Sequence, residues 1–383
     1  MKTKRSAQLF RFGILAILAL MLCPVAIFAF AASPGGAGKV MAAALGITML
    51  DLAKLNSGDA ARGIVEENAG AIPEWSLFPA EQLGAGKLKY ETLIRSGYPS
   101  AGFVDVGGGF TNSKSLTRME TFETYPFGGR VQAAQMIADN YSRGGAAGYF
   151  AFEASGIGKS AMFALAKQIY YGRVTDGKGF PGLKNFTAFG TTVTDPITGR
   201  SFRLCLDATG STASSASSAY LVKFSTDTAN PNGVQVEFGT GSVFELPDPL
   251  VQDITDPNDS AKMLRVYASV LQGWAGLAIP NIHCVRRICN LTAQTGKGMS
   301  DALLADAASD WPQGVKPDAI IMSARSRKQL QLSRTVTLFG QGSGRPNQPL
   351  VAPLPTEYDG IPIVVSDAIA DTDAIETSAA SEE

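Results

Sequence analysis

The chain has 383 residues, 45% of them hydrophobic, so it can bury a sizeable core; at ~100–200 residues per domain its length suits two or three domains. Lys+Arg 33 against Asp+Glu 34 argues against nucleic-acid binding through bulk positive charge. The lone histidine, His283, excludes two- and three-histidine metal sites and leaves little room for imidazole acid–base chemistry.

Lys2, Lys4, Arg5 and Arg11 precede an apolar run from Phe12 to Ala32, and Ala29-Phe30-Ala31 has the small-x-small pattern of a signal-peptidase site. Three readings stay open: a secretory leader, a membrane anchor of about 20 residues, or an upstream extension of a chain that starts at Met41. In each case, residues 1–40 stand outside the fold, and no other segment is apolar enough to span a bilayer.

Residues 41–95 are loosely patterned. Asp51 to Val65 predicts a short helix weakened by Gly58 and Gly63. Pro73 and Pro79 bracket Glu74-Trp75-Ser76-Leu77-Phe78, which reads as an extended arm with apolar anchors. From Thr92 to Phe127 the composition is β-like. Ala101 to Val106 and Leu116 to Phe122 flank Gly107-Gly108-Gly109, predicting a long hairpin. No nearby helix covers it, and an uncovered hairpin needs a partner.

Val131 to Tyr141 has helical spacing, and Phe150, Ala154, Ile157, Ala161, Leu165 and Ile169 predict a longer helix that ends at Gly172. Strands follow at Ser201–Leu206, Ala219–Phe224, Val234–Phe238 and Met263–Leu271. Ser300–Ala308 and Ser323–Leu332 read as helices, the second entered from a buried strand, Ala319–Met322. Gln341–Pro355 is a Gly- and Pro-rich loop, and Ile361–Val365 is a last strand. From Glu357 onward the chain carries acids and neither Lys nor Arg.

Gly156-Ile157-Gly158-Lys159-Ser160 resembles the end of a phosphate-binding loop, G-x-x-x-x-G-K-[ST]. The leading glycine position is Glu153, whose carboxylate would repel phosphate, and helical spacing runs straight through. A glycine-lightened helix is the better reading. His283, Cys284 and Cys289 lack the second ligand pair of a structural zinc site. No catalytic, metal-ligating or cofactor-binding residue is therefore expected. Arg325, Arg327, Lys328 and Arg334 read as a solvated helix face. Arg286-Arg287 pairs with acids either across an interface or within the domain, and the sequence does not choose.

Several stretches resemble tailed-bacteriophage major capsid proteins of the Hong Kong 97-type fold. They are Phe152-Glu153-Ala154 through Ile169-Tyr170-Tyr171-Gly172 with Phe180-Pro181-Gly182-Leu183; Gly273-Trp274-Ala275-Gly276-Leu277 with Val285 to Asn290; Ala319 to Ser323 with Lys328-Gln329-Leu330; and Tyr358 to Ile363 with Ser366 to Ile369. Each is soft alone; their order carries the resemblance over about residues 45–370. It implies an α+β fold with an N-terminal arm at 41–95, an extended loop at 96–130 and a peripheral domain with a spine helix at 131–185. An axial domain at 186–360 and a return to the peripheral domain with an acidic tail at 361–383 complete it.

The function implied is a coat protein that self-assembles, as pentamers and hexamers, into an icosahedral head shell around phage DNA without reading its sequence. Scaffold, portal and decoration proteins are candidate further partners, and no stable membrane association or cofactor is expected. The place is the virion, after assembly in host cytoplasm, where a cleavable secretory leader has no role; residues 1–40 are expected to be absent from the assembled protein or disordered in it. Candidate intersubunit contacts are Phe103, Phe110, Lys114, Leu116, Met119 and Phe122. Some relatives cross-link a loop lysine to an asparagine; Lys114 lies in the loop, but no partner is assigned. The competing reading is a secreted or periplasmic β-rich binding protein.

Overall fold

The computed structural model describes Leu55 and residues 72–377, apart from 85, 174–176, 196–197, 228–231, 240–244, 257–258 and 341–351, and apart from the side chains of 259–260 and 335–340. These residues belong to one compact unit, Ala43–Glu383. The apolar leader lies outside the described residues, as does the Asp51–Val65 helix apart from Leu55.

The segment expected as an extended arm instead opens with one helical turn, α1 (Glu74–Leu77). Pro73 supplies a helix-compatible φ of −66°, and the Ser76 hydroxyl donates to the Pro73 carbonyl at 2.8 Å. Its anchors are real: Trp75 stacks on Phe238 at 6.1 Å and Phe78 meets Phe224 edge-on at 5.0 Å. β1 (Ala80–Gln82) follows.

A hairpin comes next, but with different arms from those expected. β2 (Lys89–Gly97) pairs with β3 (Leu116–Glu123), while Ala101–Val106 is irregular. Pro99 and Gly102 spoil the strand on that side, whereas Tyr90-Glu91-Thr92-Leu93-Ile94 alternates at period two. β4 (Tyr125–Ala134) takes the first residues of the predicted 131–141 helix, leaving only the turn α2 (Gln135–Ala138). Ten consecutive pairings of β4 with β11 (Asp259–Ala278) outweigh a weak helical pattern.

The long helix is present as predicted: α3 (Gly145–Tyr171) runs 27 residues and passes through Gly156 and Gly158. It stops at Gly172, whose φ is 52°; a Cβ there would lie 1.9 Å from the Gly182 nitrogen. α4 (Leu183–Phe186), β5 (Thr192–Thr194) and β6 (Ser201–Arg203) lead into β7 (Cys205–Asp207). The single strand expected at 201–206 is thus two, because the chain leaves β5 and joins another sheet at Leu204.

Two sheets organise the rest. In the first, β1, β9 (Gln235–Phe238), β11 and β10 (Leu250–Asp256) follow one another, and β4 lies on the other edge of β11. The second has the order β14-β15-β13-β8-β12-β7, formed by β14 (Glu357–Tyr358), β15 (Ile361–Val365), β13 (Ala319–Met322), β8 (Ser217–Val222), β12 (Val285–Leu291) and β7. β8, β12 and β13 are buried at every position, as in sheets covered on both faces. One cover is α5 (Asp301–Ser309) with α6 (Ala324–Gly340), which bury Leu304, Ala307 and Leu330 against Ile288, Ile320 and Ile363. On the other face Leu165, Ile169 and Tyr170 of α3 meet Tyr220, Val285 and Ile321 of this sheet and Val236, Phe238 and Leu277 of the first.

Two pairings were not assigned from the sequence. Met263–Leu271, placed within the axial span, bonds to β4, and Ile361–Val365, placed in a separate return, bonds in parallel to β13. Apolar strands carry no label for the sheet they will join.

Candidate assembly surface

β2 and β3 align Tyr90 with Phe122, Leu93 with Met119 and Lys89 with Glu123. Side chains alternate across a strand, so Tyr90, Thr92, Ile94, Glu120 and Phe122 share one face and Glu91, Leu93, Met119 and Thr121 the other. The first face is half-buried, and Phe122 stacks on Tyr90 at 6.3 Å. The second is open: Leu93 is 67% exposed and Met119 69%. Beyond Gly97 the chain forms an irregular tip to Ser115, closed by a turn in which the Gly108 N–H donates to the Asp105 carbonyl at 2.8 Å. Gly107 sits at φ 89°, a conformation other residues rarely adopt. Phe103 and Phe110, at 108% and 82% exposure, stand free in this tip.

Of the six candidate contacts, Phe103, Phe110, Lys114, Leu116 and Met119 are exposed, and Phe122 lies on the opposite hairpin face from Met119. Sequence reasoning missed Leu93, directly across from Met119, because the wrong segment was paired. It also missed a second apolar display: Leu250 and Val251 of β10, in register with Ala268 and Tyr267, and Met263, on the part of β11 that runs on beyond β4, are exposed. The adjacent Leu250 and Val251, which fall on opposite faces of β10, were the available signal.

The polar motifs resolve into structural contacts. His283, Cys284 and Cys289 do not converge: the His283 Nδ1 lies 3.2 Å from an Arg286 nitrogen, the Cys284 thiol donates to the Asn232 carbonyl at 3.0 Å, and the free thiol of Cys289 shares a hydrogen bond with the free thiol of Cys205. Burial lowers His283 from its ordinary value, aided by the Arg286 charge, and pushes the Cys284 thiol up to about 12. Among the described residues no group of three His, Cys, Asp or Glu is placed to hold a metal ion. No helix among them is long and apolar enough to cross a membrane.

Arg287 pairs inside the chain, with both Glu376 oxygens, at 2.9 and 2.5 Å. Lys184 of α4 joins Glu376 at 2.9 Å and Asp373 at 3.6 Å. Burial alone would raise Glu376, but hydrogen bonds and charge from Arg287 and Lys184 hold it below the usual carboxylate range. On α6, Arg325 meets Asp371 at 3.3 Å and Arg334 meets Asp301 at 2.8 Å, so two of its four basic residues are engaged by acids.

No protein-family model matches this chain, and no curated protein matches it. Among solved structures, the chain is similar to one from bacteriophage Epsilon15, with TM-score 0.55 and 16% identity over 88% of this chain and 99% of that one. A chain from the procapsid of bacteriophage JBD30 aligns at 11% identity and TM-score 0.38, over 79% and 93% of the two. One from the holo-SrpI encapsulin complex of Synechococcus elongatus PCC 7942 aligns at 12% and 0.38, over 65% and 98%. The first likeness shows the fold: a mixed α+β chain folded like the one in the bacteriophage Epsilon15 structure.

Proposed function

We propose that this chain is a major capsid protein, which self-assembles into the icosahedral head shell of a bacteriophage. The observation that carries the reading is the β2–β3 hairpin, whose exposed face and tip present apolar groups that a solvated hairpin has no use for. It stands in a fold aligned along almost the whole of a bacteriophage chain. Burying each such side chain against a neighbour contributes about 1.5–3 kcal/mol, which offsets part of the entropy of ordering the hairpin. A two-stranded hairpin is marginal without a covering surface, and a neighbouring subunit supplies one.

In this reading the N-terminal arm spans 41–95 and the extended loop about 96–130, with its first strand reaching back to Lys89. The peripheral domain gathers α3, β4 and the β10–β11 hairpin, and the axial domain is the second sheet with α5 and α6. The role is structural, with pentamers and hexamers of the chain as the shell units, the virion as its place, and DNA enclosed without sequence reading. The fold gives no support to a secreted binding protein.

The test replaces Phe110 and Met119 together by aspartate. The variant is expected to stay folded, because both side chains are solvent-exposed in the single chain, yet to form no particles in velocity sedimentation, since unpaired charge buried at an interface is costly. Wild-type particle yields from the double variant would overturn the intersubunit role. Loss of folding would place the hairpin in its own domain's core.

A further inference from the structure

In the first sheet Val236 and Phe238 point into the core, so Gln235 and Glu237 point to the opposite face. There Glu237 is 1% exposed, which is rare for a carboxyl without a cationic partner. Its neighbours are unusual. β1 runs parallel to β9 with Glu81 in register with Glu237, so two carboxyl groups sit side by side on one face. On the other flank Glu237 is in register with Gly276, which brings no side chain. A Cβ at Gly276 would meet the Glu123 carbonyl at 2.8 Å and Thr124 at 3.2 Å, so the foot of the hairpin crosses the sheet here. From that foot Tyr90 senses the charges of both Glu237 and Glu81.

The Gln235 amide bonds one Glu237 oxygen at 2.5 Å, and the other oxygen, Oε2, is buried without a partner. No lysine or arginine among the described residues compensates the charge; the groups facing Glu237 are Glu81 from β1, Tyr90 from β2 and Gln235 from its own strand.

We propose that Glu81 and Glu237 form a proton-operated latch where the N-terminal segment, the first sheet and the foot of the hairpin meet: with a proton on Glu237 β1 stays zipped to β9, and without it the paired carboxylates push β1 away. The proton leaves as hydronium or to buffer, and no other co-reactant is involved. Burial, followed by the charge of Glu81, raises the Glu237 carboxyl to about 7 from an ordinary value of 4.5. A raised carboxyl stabilises the closed junction fully below its unperturbed value and loses that contribution as pH rises through the raised one. Opening should therefore grow by about tenfold per pH unit between 4.5 and 7 and level off above. The latch is a property of the subunit and does not depend on the shell reading.

Hydrogen exchange on the full-length chain tests it, after correction for intrinsic rates. The reporters are the Leu83 amide, which donates to the Phe238 carbonyl at 2.8 Å, and the Val236 amide, which donates to the Pro79 carbonyl at 2.9 Å. Their protection should fall at least tenfold from pH 5 to pH 7.5, while the Arg287 amide in the second sheet stays unchanged. In Glu237→Gln the loss should vanish and protection stay high at both pH values. Glu81→Gln keeps the proposal testable should that variant not fold: its transition should move to lower pH. Protection independent of pH in the wild type, or an unaltered transition in either variant, would overturn the latch.

Discussion

The Arg287–Glu376 pair shows how far a single residue can be read ahead of the fold. Arg287 is 2% exposed and held by two carboxylate oxygens and the Ser218 hydroxyl, so its charge is fully committed. Arg287→Ala is expected to destabilise the chain by about 3–5 kcal/mol in urea unfolding, since it strands a half-buried carboxylate beside a cavity. Because Glu376 is held low when folded, its contribution is present above its ordinary value and is lost as pH falls through the lowered one. Acid should therefore weaken the wild type more than Glu376→Gln, a difference that unfolding midpoints at pH 3 and pH 7 would report. The sequence offered both partners, an Arg-Arg pair and an acidic tail, but they are 89 residues apart and only folding joins them.

At the scale of elements, legibility followed the strength of the local pattern. α3 was readable because six apolar positions repeat at helical spacing and a glycine stops them. β8, β13 and β15 were readable as short runs of mostly apolar residues, and β9 by its alternation after a turn. The arms of the hairpin were not, since which strand pairs with β3 is decided across an eighteen-residue tip (98–115) that leaves no local mark. Two glycines of α3 make the helix testable. A Cβ at Gly156 would meet nothing within 4 Å, so Gly156→Ala should stabilise the chain by roughly 0.5–1 kcal/mol through reduced backbone freedom. At Gly148 the same atom would lie 2.0 Å from the Arg143 carbonyl, and Gly148→Ala should destabilise it by roughly 1–3 kcal/mol. Thermal melts of the two variants should move in opposite directions. Lys159→Ala should leave helix content, read by circular dichroism, at the wild-type level, because position 159 lies inside a continuous helix and not in a phosphate-binding loop.

For the whole molecule, the order of elements carried the resemblance while the partition into sheets stayed hidden. Buried strands such as Ala319–Met322 are apolar on both faces and give no register of their own, and the β10–β11 hairpin could not be assigned to β4 before the pairing was seen. The shell reading makes a prediction at this scale too. The protein expressed from Met41 should sediment as capsomers or particles, and a monomer alone at high concentration would count against it.

β11 has a mechanical consequence. Its 20 residues span about 65 Å when extended, with β9 and β10 bonded along one edge and β4 along the other. A pull along its axis loads all those bonds in shear at once, so they must break together. Among the described residues the β2 and β3 strands pair only with each other, and a load that splays the ribbon's two ends strains one rung at a time. Under traction the ribbon would therefore unzip while β11 held, which makes β11 the tendon of the subunit and the ribbon its fuse.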